Sequence, residues 1–170
     1  KAITCPLGAE ICYSVGTEGH MFKTTDGGET WSELTSGIIN GLDSINCPVD
    51  ATTCYAAGDN GKVIKTIDGG DSWTVLTPPT GAFVNSIYCP INEKICYVAS
   101  DGGGIFKTTD GGSSWSDQVT GTANDLLTIY CLTDAVTCYA AGYSGTILKT
   151  TNGGNDWSQL NSGVSGNLSS

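Results

Sequence analysis

The strongest constraint on this chain is a 42-residue repeat that runs through its whole length. Cysteines stand at 5 and 12, 47 and 54, 89 and 96, and 131 and 138. Trp31, Trp73, Trp115 and Trp157 keep the same offset, and so do Lys23, Lys65, Lys107 and Lys149. Eight cysteines, four tryptophans and four lysines do not fall into one register by chance. Four units fill 168 of the 170 residues, which leaves no room for a second domain. The expected organisation is a single repeat domain, 1–170, with units 1–42, 43–84, 85–126 and 127–170. In such architectures each unit buries its apolar face against its neighbours.

Inside a unit the pattern is that of short strands. Ser44-Ile45-Asn46-Cys47 alternates polar and apolar, and Ser86-Ile87-Tyr88-Cys89 and Thr128-Ile129-Tyr130-Cys131 repeat it. Then come Cys54-Tyr55-Ala56-Ala57-Gly58, Val63-Ile64-Lys65-Thr66 and Trp73-Thr74-Val75-Leu76, separated by Gly, Asp and Asn. These runs are β-branched and aromatic, and no window carries sustained helical spacing. Four strands per unit of this length predict an all-β chain of four tandem, four-stranded antiparallel blades of the propeller type.

Composition narrows the function classes. The chain carries a net charge of −10, and its seven basic residues are all lysine. Without arginine there is no planar fork for phosphate or carboxylate, and the acidic balance disfavours nucleic acid and anionic membranes as partners. No apolar run approaches the roughly 18 residues needed to span a bilayer. No signal peptide is visible, and Lys1 opens directly into strand-like sequence, as in a processed or excised chain.

The turn between third and fourth strands carries the most specific motif. It reads Thr24-Thr25-Asp26-Gly27-Gly28-Glu29-Thr30-Trp31, then Thr66-Ile67-Asp68-Gly69-Gly70-Asp71-Ser72-Trp73. The third copy is Thr108-Thr109-Asp110-Gly111-Gly112-Ser113-Ser114-Trp115, and the fourth is Thr150-Thr151-Asn152-Gly153-Gly154-Asn155-Asp156-Trp157. These segments resemble the Asp box, or BNR repeat, of the form Ser/Thr-x-Asp-x-Gly-x-Ser/Thr-Trp. The wider unit is similar to blades of the photosystem II assembly and stability factors, with related blades in sialidases, sortilin-type receptors and xyloglucan-degrading hydrolases. The resemblance covers nearly the whole chain.

The motif's chemistry needs no ligand. Asp26, Asp68 and Asp110 can accept hydrogen bonds from their own turns. Gly28, Gly70, Gly112 and Gly154 supply a backbone shape that other residues adopt at a cost. Trp31, Trp73, Trp115 and Trp157 return apolar surface to the blade. Asn152 keeps an accepting oxygen but would spoil a cation ligand or a catalytic acid. No metal or cofactor is expected.

The cysteines form four Cys-x6-Cys pairs, too widely spaced for a zinc ribbon and located in separate units. A hairpin places one cysteine at the end of the first strand and its partner at the start of the second. The expected bonds are Cys5–Cys12, Cys47–Cys54, Cys89–Cys96 and Cys131–Cys138. Four such staples imply an oxidising compartment: extracellular, cell-surface, periplasmic or lumenal. The single sequon, Asn167-Leu168-Ser169, offers one glycosylation acceptor.

Catalysis finds little support. The sialidase resemblance implies an arginine triad that this chain lacks, and the hydrolase resemblance implies two acids across a cleft between large domains. Asp59 and Asp101 lie in loops without standing out as such a pair. His20, the only histidine, reads as an exposed turn residue. The assembly-factor resemblance implies membrane-protein partners bound through arginines, so it carries the fold here and not that role. The varying positions His20, Lys62, Gly104 and Thr146, and Glu18, Asn60, Gly102 and Ser144, belong to loops that propellers use for recognition. The repeated lysines are expected to pack along the blade with their heads near acidic neighbours. The last residues, Ser162 onward, resemble the lead-in to another unit. The blades are therefore expected to form part of a larger propeller, half of a dimeric ring or a filamentous array. The expected function is non-catalytic: a module for protein interaction, assembly or scaffolding, with a protein or self-assembly partner at blade edges or loops. The alternative is a carbohydrate-binding or glycoside-hydrolase-associated propeller segment with a glycan partner.

Overall fold

The computed structural model describes residues 1–6, 8 and 10–169. Four antiparallel sheets follow one another, each a meander whose strands pair in chain order. The first holds β1 (Ala2–Thr4), β2 (Cys12–Val15), β3 (Met21–Thr24) and β4 (Ser32–Leu34). The second holds β5 (Leu42–Asn46), β6 (Cys54–Gly58), β7 (Val63–Thr66) and β8 (Thr74–Leu76). The third holds β9 (Val84–Tyr88), β10 (Cys96–Ser100), β11 (Ile105–Thr108) and β12 (Ser116–Gln118). The fourth holds β13 (Leu126–Cys131), β14 (Cys138–Gly142), β15 (Ile147–Thr150) and β16 (Ser158–Leu160). No helix among the described residues is long and apolar enough to cross a membrane.

Side-chain alternation determines how the blades stack. In β6, Cys54 and Ala56 face the first sheet, where they meet Tyr13, Val15 and Met21. Tyr55 and Ala57 point the other way and meet Val84, Ile87, Val98 and Phe106 of the third sheet. The same change of face along β10 joins Tyr97 and Ala99, with Ile105 of β11, to Leu126, Ile129, Ala140 and Leu148. A strand buried on both faces reads as a continuous apolar run, and β6 and β10 are buried throughout. The three apolar cores therefore lie between blades. Side chains also reach across to the neighbouring first strand: Ser44 Oγ accepts the Ile87 N–H at 3.0 Å, and Ser86 Oγ accepts that of Ile129 at 3.3 Å.

Each blade has two distinct ends. At one end the β1–β2 type connection is closed by a disulfide, with S–S distances of 2.09, 1.97, 2.04 and 2.04 Å from the first blade to the fourth. Closing a loop this short contributes about 2.5 kcal/mol in the chain-entropy account. The Asp-box corner lies beside it, joined by backbone bonds from Gly27, Gly69, Gly111 and Gly153 N–H to Glu10, Thr52, Lys94 and Val136 carbonyls. At the other end, tight 3-10 turns join second and third strands. Their corner residues Glu18, Asn60 and Ser144 have φ of 56°, 55° and 55°, and Gly102 fills the equivalent place.

Candidate functional site

The Asp-box corners are closed hydrogen-bond circuits. In the first, Thr24 Oγ1 donates to Asp26 Oδ1 at 2.7 Å and accepts the Gly28 N–H at 2.9 Å. Asp26 then accepts the Thr30 N–H at 2.9 Å and the Thr30 hydroxyl at 2.5 Å. Asp68 and Asp110 repeat the circuit with Ser72 and Ser114. These donors stabilise the charged carboxylate. The hydroxyls of Thr24 and Thr30 hold Asp26 well below the usual carboxylate range, as those of Ser72 and Thr66 hold Asp68. The Ser114 hydroxyl, with its N–H, lowers Asp110 to about 2. In the fourth corner Asn152 Oδ1 accepts the Asp156 N–H at 3.0 Å, while its Nδ2 donates to Asp156 Oδ2 at 2.8 Å. Among the described residues, no group of three or more His, Cys, Asp or Glu is placed to hold a metal ion.

The corners also receive the preceding blade. Tyr13 stands directly opposite Lys23 across β2 and β3, and the ammonium lies 5.4 Å from the ring centre. Both side chains reach the second blade's corner: Tyr13 Oη donates to Gly69 O at 2.8 Å and Ala51 O at 2.6 Å, and Lys23 Nζ donates to Gly69 O at 2.8 Å. Tyr55 and Lys65 reach Gly111 in the same way, and Tyr97 and Lys107 reach Gly153. Gly70 lies so close to the first blade that an added Cβ would stand 2.8 Å from Leu34 Cδ1. The heads of Lys23, Lys65 and Lys107 thus bond to carbonyl oxygens and lie over tyrosine faces, and among the described residues none of them forms an ion pair with an acidic neighbour. Burial raises the Tyr13 and Tyr97 phenols to about 12 and raises Tyr55 as well.

Among the described residues, the first and fourth blades each have a neighbour on one face only. Tyr13, Tyr55 and Tyr97 are fully buried, whereas Tyr139 is 37% exposed. Lys149 still lies over its ring at 5.5 Å, and neither polar head has a hydrogen-bond partner among the described residues. On the first blade Trp31, Phe22 and Ile3 are exposed by 40%, 37% and 62%. Their counterparts Trp73, Ile64 and Ile45 are covered by the preceding blade. The indole is therefore partly buried by its own sheet, and the preceding blade adds the rest of its cover. Once covered, Trp73, Trp115 and Trp157 have indole N–H groups shut off from solvent without an acceptor among the described residues.

Other residues singled out from sequence have local duties. Asp59 Oδ2 accepts the Gly41 N–H at 3.0 Å, and Asp101 Oδ1 accepts from Asn85 Nδ2 at 2.7 Å. His20 is exposed, with Nδ1 2.7 Å from Glu33 Oε1, beside a groove shared with Glu18 and Lys62. Gly104 and Thr146 follow the equivalent turns of the third and fourth blades. Asn167 is exposed, and its Oδ1 accepts the Ser144 N–H at 3.3 Å.

Four meander sheets, three turned by hydroxyl–carboxylate corners and the fourth by its asparagine counterpart, and joined through those corners, define a BNR-type β-propeller repeat protein. The chain belongs to the family of the photosynthesis system II assembly factor YCF48, whose profile matches residues 8–131. Among solved structures it is similar to YCF48 from Cyanidioschyzon merolae, with 20% identity and a TM-score of 0.76 over 99% of this chain and 62% of that one. It is similar to YCF48 bound to D1 peptide, at 14% identity and a TM-score of 0.62, over 93% of this chain and 79% of that one. An ancestral GH74 enzyme shares the fold at 19% identity and a TM-score of 0.78, over 94% of this chain and 23% of the enzyme. The chain thus spans less than a quarter of that enzyme and under two thirds of the algal protein. No curated protein matches it by sequence.

Proposed function

We propose that this chain is a non-catalytic module for protein interaction and assembly, acting in an oxidising compartment such as the cell surface, the periplasm or a lumen. The observation that carries this reading is the rigid stack of blades of the YCF48 family in which the corner carboxylates are spent on their own turns. The four disulfides support the compartment. Family membership supports a protein ligand, since one YCF48 structure contains a bound peptide. The corner carboxylates are engaged by their own turns, which supports a structural duty for them over acid–base work.

The test sets the oxidised chain against a peptide array and against xyloglucan oligosaccharides, with binding and reducing-sugar release measured in parallel. Peptide binding without sugar release is expected. Cleavage of xyloglucan, or glycan binding with silence across the peptides, would overturn the reading in favour of a hydrolase-associated segment.

A further inference from the structure

We propose that the cleft between the second and third blades binds a carboxylate carrying a branched aliphatic group. The Lys65 ammonium takes the carboxylate, and Ile67 and Leu76 take the aliphatic part. The proposal rests on the reading of the chain as an interaction module and names a chemistry that the module takes.

The cleft encloses about 240 Å³, between Lys65, Ile67, Thr74 and Leu76 of the second blade and Gly111 and Ser113 of the third. Both walls belong to blades with a neighbour on either side, so the cleft does not depend on what stands before the first blade or after the fourth. Pleating builds the second-blade wall. Lys65 stands opposite Thr74, and Val63 opposite Leu76, across β7 and β8. The Lys65, Thr74 and Leu76 side chains therefore share the face turned toward the third blade.

The other two junctions differ at this place. Where the second blade has Ile67, the first and third have Thr25 and Thr109. Where the third blade's corner has Ser113, the corners on either side have Asp71 and Asn155. Leu76 corresponds to Leu34 and to Gln118. Of the three junctions, the middle one combines two aliphatic side chains with a lining free of carboxylates.

It is also the junction where the lysine is held least tightly. Lys65 Nζ donates to Gly111 O at 3.3 Å, against 2.8 Å for Lys23 at Gly69 and 2.7 Å for Lys107 at Gly153. Tyr55 Oη donates to the Glu93 carbonyl and lies 3.3 Å from Gly111 O, whereas Tyr13 and Tyr97 reach their glycine carbonyls at 2.8 and 3.0 Å. An ammonium has three protons, and Gly111 engages one of them weakly. The others are available to an oxygen that enters the cleft, while the Tyr55 ring, 5.1 Å away, keeps the head in place. The Thr74 hydroxyl, beside it, has no hydrogen-bond partner among the described residues. The Ser113 hydroxyl, on Asp110 O at 3.2 Å, is free to turn.

An ammonium among hydroxyls selects an anion, and one lysine without an arginine fork suits a monoanion better than a phosphate. The volume lies below the roughly 300–1,000 Å³ of sites for drug-sized ligands. It therefore accepts one small acid or one terminal residue.

Amide NMR of the oxidised chain tests this with three probes: 4-methylpentanoate, acetyl-glycyl-glycyl-leucine, and the same peptide amidated at its C-terminus. The two carboxylates share the recognised group and differ in source, a free acid or a polypeptide end. One or both are expected to shift the Gly111, Ser113 and Thr74 amides saturably while those of Gly69 and Gly153 stay still. The amidated peptide is expected to shift none. Shifts from the peptide alone assign the site to a chain terminus, and shifts from the free acid alone assign it to a small molecule. Ser113→Asp installs the acid that the first junction carries and is expected to weaken binding about tenfold. Ile67→Thr is expected to weaken it about threefold. Both positions are exposed, so the fold tolerates either change. No saturable shift at the highest soluble concentration, equal shifts from the amidated peptide, or unchanged binding in Ser113→Asp overturns the proposal. An empty cleft in a chain that captures other peptides spares the interaction reading. Carboxylate binding by a chain that also cleaves xyloglucan sinks that reading and leaves the site standing.

Discussion

Asn152 donates a hydrogen bond from Nδ2 to the Asp156 carboxylate at 2.8 Å, reversing the polarity found in the other three corners. There a carboxylate accepts from the hydroxyl four residues on; here the amide donates and the acid accepts. The two departures from the motif compensate one another. Asn152→Asp alone sets two carboxylates face to face and is expected to lower Tm by about 2–4 °C. Adding Asp156→Ser restores the ordinary circuit and the lost degrees. Calorimetry of the two single variants and the double variant reads the coupling, and additive losses would contradict compensation.

Acid is expected to weaken the corners. Asp26 and Asp68 sit well below the ordinary carboxylate range and Asp110 at about 2, so their contribution is complete above the unfolded value near pH 4. It is lost as pH falls through the folded values. Thermal melts from pH 5 to pH 2 should show this decline, and Asp110→Asn should make it shallower. An unchanged slope in that variant would show that the acid limb arises elsewhere.

The alkaline limb belongs to the buried tyrosines. Tyr13 and Tyr97 hold their protons to about pH 12, against about 10 unfolded, so stability is full below pH 10 and falls between 10 and 12. Tyr97→Phe removes bonds to Ala135 O and Gly153 O and is expected to cost about 1–3 kcal/mol at neutral pH while flattening this limb. Denaturant melts at pH 7 and pH 11 measure both effects.

Ser144 occupies the left-handed region at φ 55°, where its counterpart in the third blade is Gly102. Ser144→Gly relieves that conformation and should stabilise the chain by about 0.5–1 kcal/mol. A loss of stability in urea unfolding would mean that the Ser144 side chain contributes more than its backbone costs.

The blade pattern was legible because period-2 runs, Gly-rich corners and cysteine spacing are local signals. The contacts that join blades were not. A tyrosine bonding to a carbonyl 56 residues away leaves no local mark. A trace did exist in the recurrence of Tyr13, Tyr55, Tyr97 and Tyr139 ten residues before the four lysines. The lysine heads were misjudged for a related reason: their carbonyl acceptors are backbone atoms, which residue types do not reveal. The left-handed corners at Glu18, Asn60 and Ser144 were hidden because only Gly102 advertises that conformation.

Hydroxyl-radical footprinting across a urea series tests most directly the claim that one Tyr–Lys–corner contact joins successive blades of the chain. Tyr13, Tyr55 and Tyr97 should remain protected up to the unfolding transition and lose protection together, whereas Tyr139 should react already in the native chain. Equal reactivity of all four tyrosines in the native chain would contradict the account.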